Sequence, residues 1–237
     1  MTTEEATDTR GRVLRAAAGL LEREGRDAVS TRAVSAAAGV QAPTLYRLFG
    51  DMNGLLDAVA AYGFEQYLGD KRAMGETDDP VADLRRGWDL HVEFGLSRPA
   101  FYVLMYGNGR AGGSAAADAA AILHRLLGRV AAAGRLTMSV ESAARLMHAT
   151  GVGVVLTLIA TPEAERDRSL ADLARDSVLR TVVSDAVPAA DAGVPPLVGR
   201  AVALREALHT DGGGADSLTA AEQALLEQWL DRLAGRP

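Results

Sequence analysis

The sequence contains no cysteine, which removes disulfides, thiolate nucleophiles and cysteine-held metals from its chemistry. Aromatic residues are scarce, at 5% of 237 residues, while alanine and glycine are plentiful. Abundant alanine favours helix by intrinsic propensity. Long apolar runs are also missing. The longest uncharged stretch, Leu146 to Pro162, is 17 residues and holds His148, two glycines and three threonines. A membrane-spanning helix needs roughly 20 apolar residues, so this stretch reads as a buried helix and no membrane partner is expected. The opening MTTEEATDTR is polar and acidic, unlike a secretory leader, and a cytoplasmic location is the expectation. There is no G-x-S-x-G, no H-E-x-x-H and no P-loop. Asp78-Asp79 reads as an acidic pair at a helix start rather than an acid/base pair. The expectation is a protein that is not an enzyme and carries no cofactor and no metal.

What is present is a globular composition, 48% apolar and 24% charged. Net charge is −6, yet the charge is unevenly spread. Between Thr9 and Gly50 seven arginines (10, 12, 15, 23, 26, 32 and 47) face Glu22, Glu24 and Asp27, a local charge of +4. A small basic head on an acidic body is compatible with local DNA contact.

Helical periodicity runs through nearly the whole chain, with no strand series. Val13, Ala16, Ala17 and Leu20 keep the i, i+3, i+4, i+7 spacing, and Gly25 stops that helix. Ser30 is placed to cap a short helix over Thr31–Ala38, which Gly39 breaks. A second short helix is expected over Ala42–Phe49, with Pro43 near its first position, where a missing N–H costs nothing. Asp51 caps the next helix, with Leu55, Ala58, Val59 and Tyr62 as its stripe, running to Tyr67. Another helix follows Pro80 and ends near Ser97, before an apolar turn, AFYVLMYG. A glycine-rich loop, 107 to 113, leads to an alanine-rich helix ending at Ala133. Helices are then expected over 140 to 160 and 166 to 187. The tail, 188 to 237, holds two more, separated by DGGG, the last opening on Thr219 and Glu222 at capping-box spacing.

The stretch AGVQAPTLYRLFG, residues 38 to 50, carries the functional signal. A helix, a glycine turn and a second short helix describe a helix-turn-helix. Leu45 and Phe49, at i and i+4, pack the second helix inward. Gln41, Ala42, Pro43, Thr44, Tyr46 and Arg47 then lie at or near its exposed N-terminal end, the part that enters the major groove in such motifs. Tyr46 and Arg47 suit phosphate oxygens.

The run STRAVSAAAGVQAPTLYRLFGDMNGLLDAV, Ser30 to Val59, resembles the TetR family of bacterial transcriptional regulators. The resemblance covers roughly residues 9 to 60. It implies an all-α homodimer with two domains in each chain. Residues 1–52 would form a helix-turn-helix DNA-binding domain. Residues 53–237 would form a larger helical ligand-binding and dimerisation domain, with 188–237 as a C-terminal extension. The partners implied are a palindromic double-stranded DNA operator and a small-molecule inducer. Thr31 and Arg32 would contact the backbone or a base, and Gln41, Ala42, Pro43, Thr44 and Tyr46 would occupy the recognition helix. Two positions depart from the family pattern. Leu48 stands where histidine is frequent, and Met52 where lysine is usual. Both changes remove phosphate anchors, so weaker salt-sensitive binding is expected.

By the same resemblance the inducer pocket lies among the helices of the second domain. Ligand-binding candidates are Trp88, His91 and Phe94 on one helix, with Tyr102, Met105, Tyr106, His124, Met147, His148 and Thr150. Each also reads as an ordinary core side chain. The dimer face is expected on the helices at 140 to 160 and 166 to 187, the first of which is apolar nearly all round. Two alternatives remain. Gly107, Gly109 and Gly112 form a G-x-G-x-x-G after an apolar run, the pattern of a nicotinamide-dependent oxidoreductase. The other is a TetR-like ligand-binding protein with weak DNA binding.

Overall fold

The computed structural model describes residues 3–107, 114–184, 197–210 and 218–234. The elements are α1 (Thr3–Glu24), α2 (Thr31–Ala38), α3 (Ala42–Phe49), α4 (Met52–Ala73), α5 (Pro80–Ser97), α6 (Pro99–Tyr106), α7 (Ser114–Ala132), α8 (Val140–Ala160), α9 (Ser169–Val182), α10 (Leu197–Thr210) and α11 (Ala220–Leu233). Short 3₁₀ turns occupy Arg26–Ala28 and Glu163–Glu165. Among the described residues there is no strand, and one isolated antiparallel bridge joins Leu136 to Val183. The fold class is all-α. The helices form two compact bodies, 1–74 with 93–119 and 75–92 with 120–237, the division running through α5.

In the first body α1 buries Val13, Ala17, Leu20 and Leu21 against α2 and α4. Each leucine so buried is worth about 1.5–3 kcal/mol relative to exposure. Arg12 Nε donates to the Ala38 carbonyl at 3.2 Å, satisfying an open C-terminal carbonyl of α2 and tying it to α1. The Arg10 guanidinium lies 4.7 Å above the centre of the Phe49 ring, pinning the end of α3. α4 runs six residues beyond the expected end at Tyr67, to Ala73. The apolar stretch after Pro99 is a short helix, α6, packed on both α1 and α4. Its approach to α4 depends on Gly63, where an added Cβ would stand 2.2 Å from the Phe101 ring.

The second body is organised by buried and half-buried ion pairs. Asp83 on α5 is fully buried and accepts from the Thr77 amide (2.9 Å), Thr77 Oγ1 (2.6 Å), Arg86 (2.7 Å) and Arg129 of α7. Burial pushes its carboxyl up, but the Thr77 and Arg129 hydrogen bonds and the Arg86 charge outweigh that and bring it down to about 2. α8 packs along α9, and Arg175 of α9 reaches Asp89 of α5 at 2.7 Å. Arg205 of α10 bonds Glu141 of α8 at 2.6 Å and Asp231 of α11 at 3.0 Å. Thr219 and Glu222 form the expected capping box at the start of α11. The helix expected over 166 to 187 is shorter, Ser169–Val182. It ends because Val183 turns extended to pair with Leu136, with Ser184 N donating to the Arg135 carbonyl at 2.7 Å. The remainder of that expected span, from 185 on, lies outside the described residues.

Candidate functional site

α2 and α3 are held at an angle by one glycine. Ser30 Oγ accepts from the Ala33 amide at 3.2 Å and starts α2. Gly39 ends it with φ 63 and ψ 39, the left-handed conformation that only glycine adopts without cost. Two residues later Gln41 opens α3, with Pro43 in its first turn. Gly50 closes α3 at φ 79, and Asp51 Oδ1 accepts from the Gly54 amide at 2.8 Å to start α4. Gly54 allows the turn to be this tight, because a Cβ there would meet the Phe49 carbonyl at 2.1 Å.

This framework decides which side chains of α3 face outward. Leu45 is completely buried, as is Val34 of α2. Arg32, Gln41, Pro43, Tyr46 and Arg47 are exposed, and Thr31, Ala42 and Thr44 are partly exposed. Tyr46 shows 47% of its surface despite its large ring. Its hydroxyl lies 3.2 Å from Thr31 Oγ1, so the first residue of α2 and the middle of α3 are joined on the outer surface. A cluster of hydroxyls, a carboxamide and guanidinium groups around a helix N-terminus can donate to phosphate oxygens and reach base edges. Leu48 and Met52 are partly exposed beside it and offer no such donor.

The ten ligand-binding candidates separate between the two bodies. Phe94, Tyr102, Met105 and Tyr106 fall in the first. There Phe94 stacks on Tyr67 at 4.6 Å and meets Phe64 edge-on at 5.9 Å, while Tyr102 contacts Phe94 at 6.2 Å and Tyr106 at 4.7 Å. Met105 is buried on the same helix. Burial raises all three tyrosine hydroxyls, Tyr106 to about 12. Phe64 and Tyr67 did not stand out in sequence, and neither did Lys71, which is 8% exposed beside them. Their signal was the i, i+3, i+7 spacing along α4.

Trp88, His91, His124, Met147, His148 and Thr150 belong to the second body. Trp88 and His91 meet at Gly151 of α8, each 3.5 Å from where a Cβ would stand. Trp88 is buried, and its Nε1 has no hydrogen-bond partner among the described residues. Met147 is buried. His124 and His148 are exposed. The His124 ring Nδ1 lies 2.7 Å from the Ala120 carbonyl of its own helix. Thr150 Oγ1 donates back to the Leu146 carbonyl at 2.8 Å.

The glycine motif lacks its structural context. The apolar run before it, 101 to 106, is the body of α6 rather than a strand, and Gly107 caps that helix. Gly109 and Gly112 lie outside the described residues. A dinucleotide-binding turn opens from a strand into a helix, so the oxidoreductase alternative is not favoured.

Comparison with known proteins agrees with this geometry. Residues 13–59 match the family model described as bacterial regulatory proteins, tetR family. No curated protein matches the chain. Among solved structures it is similar to SmeT, the repressor of the Stenotrophomonas maltophilia multidrug efflux pump SmeDEF. That pair is 25% identical with a TM-score of 0.61, over 78% of this chain and 93% of that one. A TetR-family transcriptional regulator from Pectobacterium atrosepticum is 19% identical with a TM-score of 0.63, over 78% and 99%. RolR, solved with resorcinol, is 22% identical with a TM-score of 0.56, over 85% and 96%. The matched segment contains the whole of α2, the Gly39 turn and α3, so residues 13–59 carry the DNA-binding helix-turn-helix of a transcriptional regulator, similar to those of the tetR family.

Proposed function

We propose that the protein is a dimeric repressor, released from a palindromic operator in the cytoplasm by a small-molecule inducer. The observation that carries the DNA half is the partition of α3: Leu45 fully buried, Tyr46 47% exposed one residue later. Two copies would place their α3 helices in successive major grooves, about 34 Å apart.

The dimer half is supported by α8. It is long and apolar enough to cross a membrane by composition, yet only 33% of its most apolar 18-residue stretch is buried within one chain. Leu146, Gly153 and Thr157 are exposed along it, as are Leu170 and Leu173 on α9. The hydroxyls of Thr150, Thr157 and Thr161 donate to carbonyls four residues back, leaving a face of methyl groups. A second copy of the chain suits such a surface better than water does.

The inducer is received at the aromatic cluster of α4, α5 and α6. There α4 serves both ends, since it starts beneath α3 and carries Phe64 and Tyr67 further along. Inducer and operator are coupled to the extent that each favours a different placement of α4 and α6 on α1. The test is an electrophoretic mobility shift on DNA flanking the protein's own gene. Tyr46→Ala is expected to weaken binding at least tenfold with the helical circular dichroism unchanged. Equal affinity of the variant would refute the assigned role of α3.

A further inference from the structure

The aromatic cluster contains a charge that the repressor reading leaves unexplained. Lys71 lies in the last turn of α4 and is 8% exposed. Its ammonium sits 5.0 Å from the centre of the Tyr67 ring, and no described carboxylate pairs with it. The other buried charge among the described residues is answered: Asp83 has Arg129, Arg86 and Thr77. Burial without a counter-charge is costly for an ammonium, and it lowers Lys71 to about 8. At neutral pH the group therefore remains mostly cationic, with the Tyr67 ring face as its contact among the described residues. From Tyr67 the cluster continues through ring contacts to Phe64 and Phe94, and from Phe94 through Tyr102 to Tyr106. Tyr106 is the partly exposed member, at the C-terminal end of α6.

We propose that this cluster binds a small aromatic carboxylate, its ring among the aromatic side chains and its charge on Lys71, with tyrosine hydroxyls as further donors. The inference rests on the inducer reading above, and it names the ligand class. Flat apolar walls select an aromatic body. A single buried cation selects an anion, because a neutral ligand would leave Lys71 unanswered. The site lies in the same compact body as α1, α2 and α3, with α6 packed on α1. Seating a ligand under α6 therefore bears on the helices that hold α3.

The experiment is isothermal titration of the full chain with benzoate and 2-naphthoate, and with the neutral amides of both. At least one carboxylate is expected to bind at least tenfold more tightly than its amide. Lys71→Met, folded by circular dichroism, is expected to erase that preference, and Lys71→Arg to retain part of it. Equal binding of acid and amide, an unchanged preference in Lys71→Met, or no binding by any of the four would overturn the proposal. A parallel mobility shift separates the two readings. Carboxylates that bind but leave DNA bound keep this site and remove the inducer role. Release of DNA by neutral ligands alone does the reverse.

Discussion

At the scale of single residues, the interface depends on a few positions with no substitute. Gly39 holds φ 63, and nothing lies within 4 Å of the Cβ it lacks. Gly39→Ala would therefore meet no clash, and its whole cost would be backbone strain, about 1–2 kcal/mol. Urea unfolding should show that loss in full for alanine and a smaller one for Gly39→Asn, since asparagine tolerates this conformation. Asp83 makes a different prediction. Its carboxyl is held down at about 2 from an ordinary 3.8. A depressed carboxylate contributes stability above its unfolded value and loses it as pH falls through the folded one. Acid unfolding of the wild type should steepen between about pH 4 and pH 2. Asp83→Asn should be less stable at neutral pH and lack that component. An unchanged acid limb would mean the Arg129 and Thr77 bonds do not act as described.

At the scale of helices, α6 is the element on which the proposed coupling depends. It packs on α1 and α4, and it touches α4 where Gly63 meets Phe101. A methyl group at 63 would stand 2.2 Å from that ring, so helix or ring must move. Gly63→Ala should cost about 1–3 kcal/mol by overpacking. Phe101→Leu in the same chain should recover part of the loss, measured as a double-mutant cycle in thermal unfolding. Additive losses would mean α6 does not sit on α4 in this way.

The contrast between α3 and α6 shows what sequence can convey. The ends of α2 and α3 were readable because Ser30, Gly39, Pro43 and Gly50 act within a turn or two. The start of α11 was marked equally locally, by the Thr219 cap. The far end of α4 was not, since no breaker marks where Tyr67 and Lys71 leave the stripe begun at Leu55. The aromatic cluster is harder still. Phe64, Phe94 and Tyr102 come from three helices, and no spacing along the chain brings them together. α9 was overrun for a similar reason: Val183 leaves the helix for a bridge to Leu136, 47 positions earlier.

At the scale of the whole molecule, an asymmetric charge and a half-covered α8 belong to one account. The basic stretch from Thr9 to Gly50 lies on the helices proposed to read DNA, and the uncovered face of α8 with Leu173 of α9, 64% exposed, is the face proposed for self-association. Leu173→Glu should shift sedimentation toward the monomer and weaken operator binding together. Monomer formation with unaltered DNA affinity would separate the two functions. The most direct measurement of the central claim is a hydroxyl-radical footprint on the DNA flanking the protein's own gene. Two protected half-sites related by a dyad, about 34 Å apart and both lost in Tyr46→Ala, are predicted. A single unpaired footprint, or protection that survives Tyr46→Ala, would contradict it.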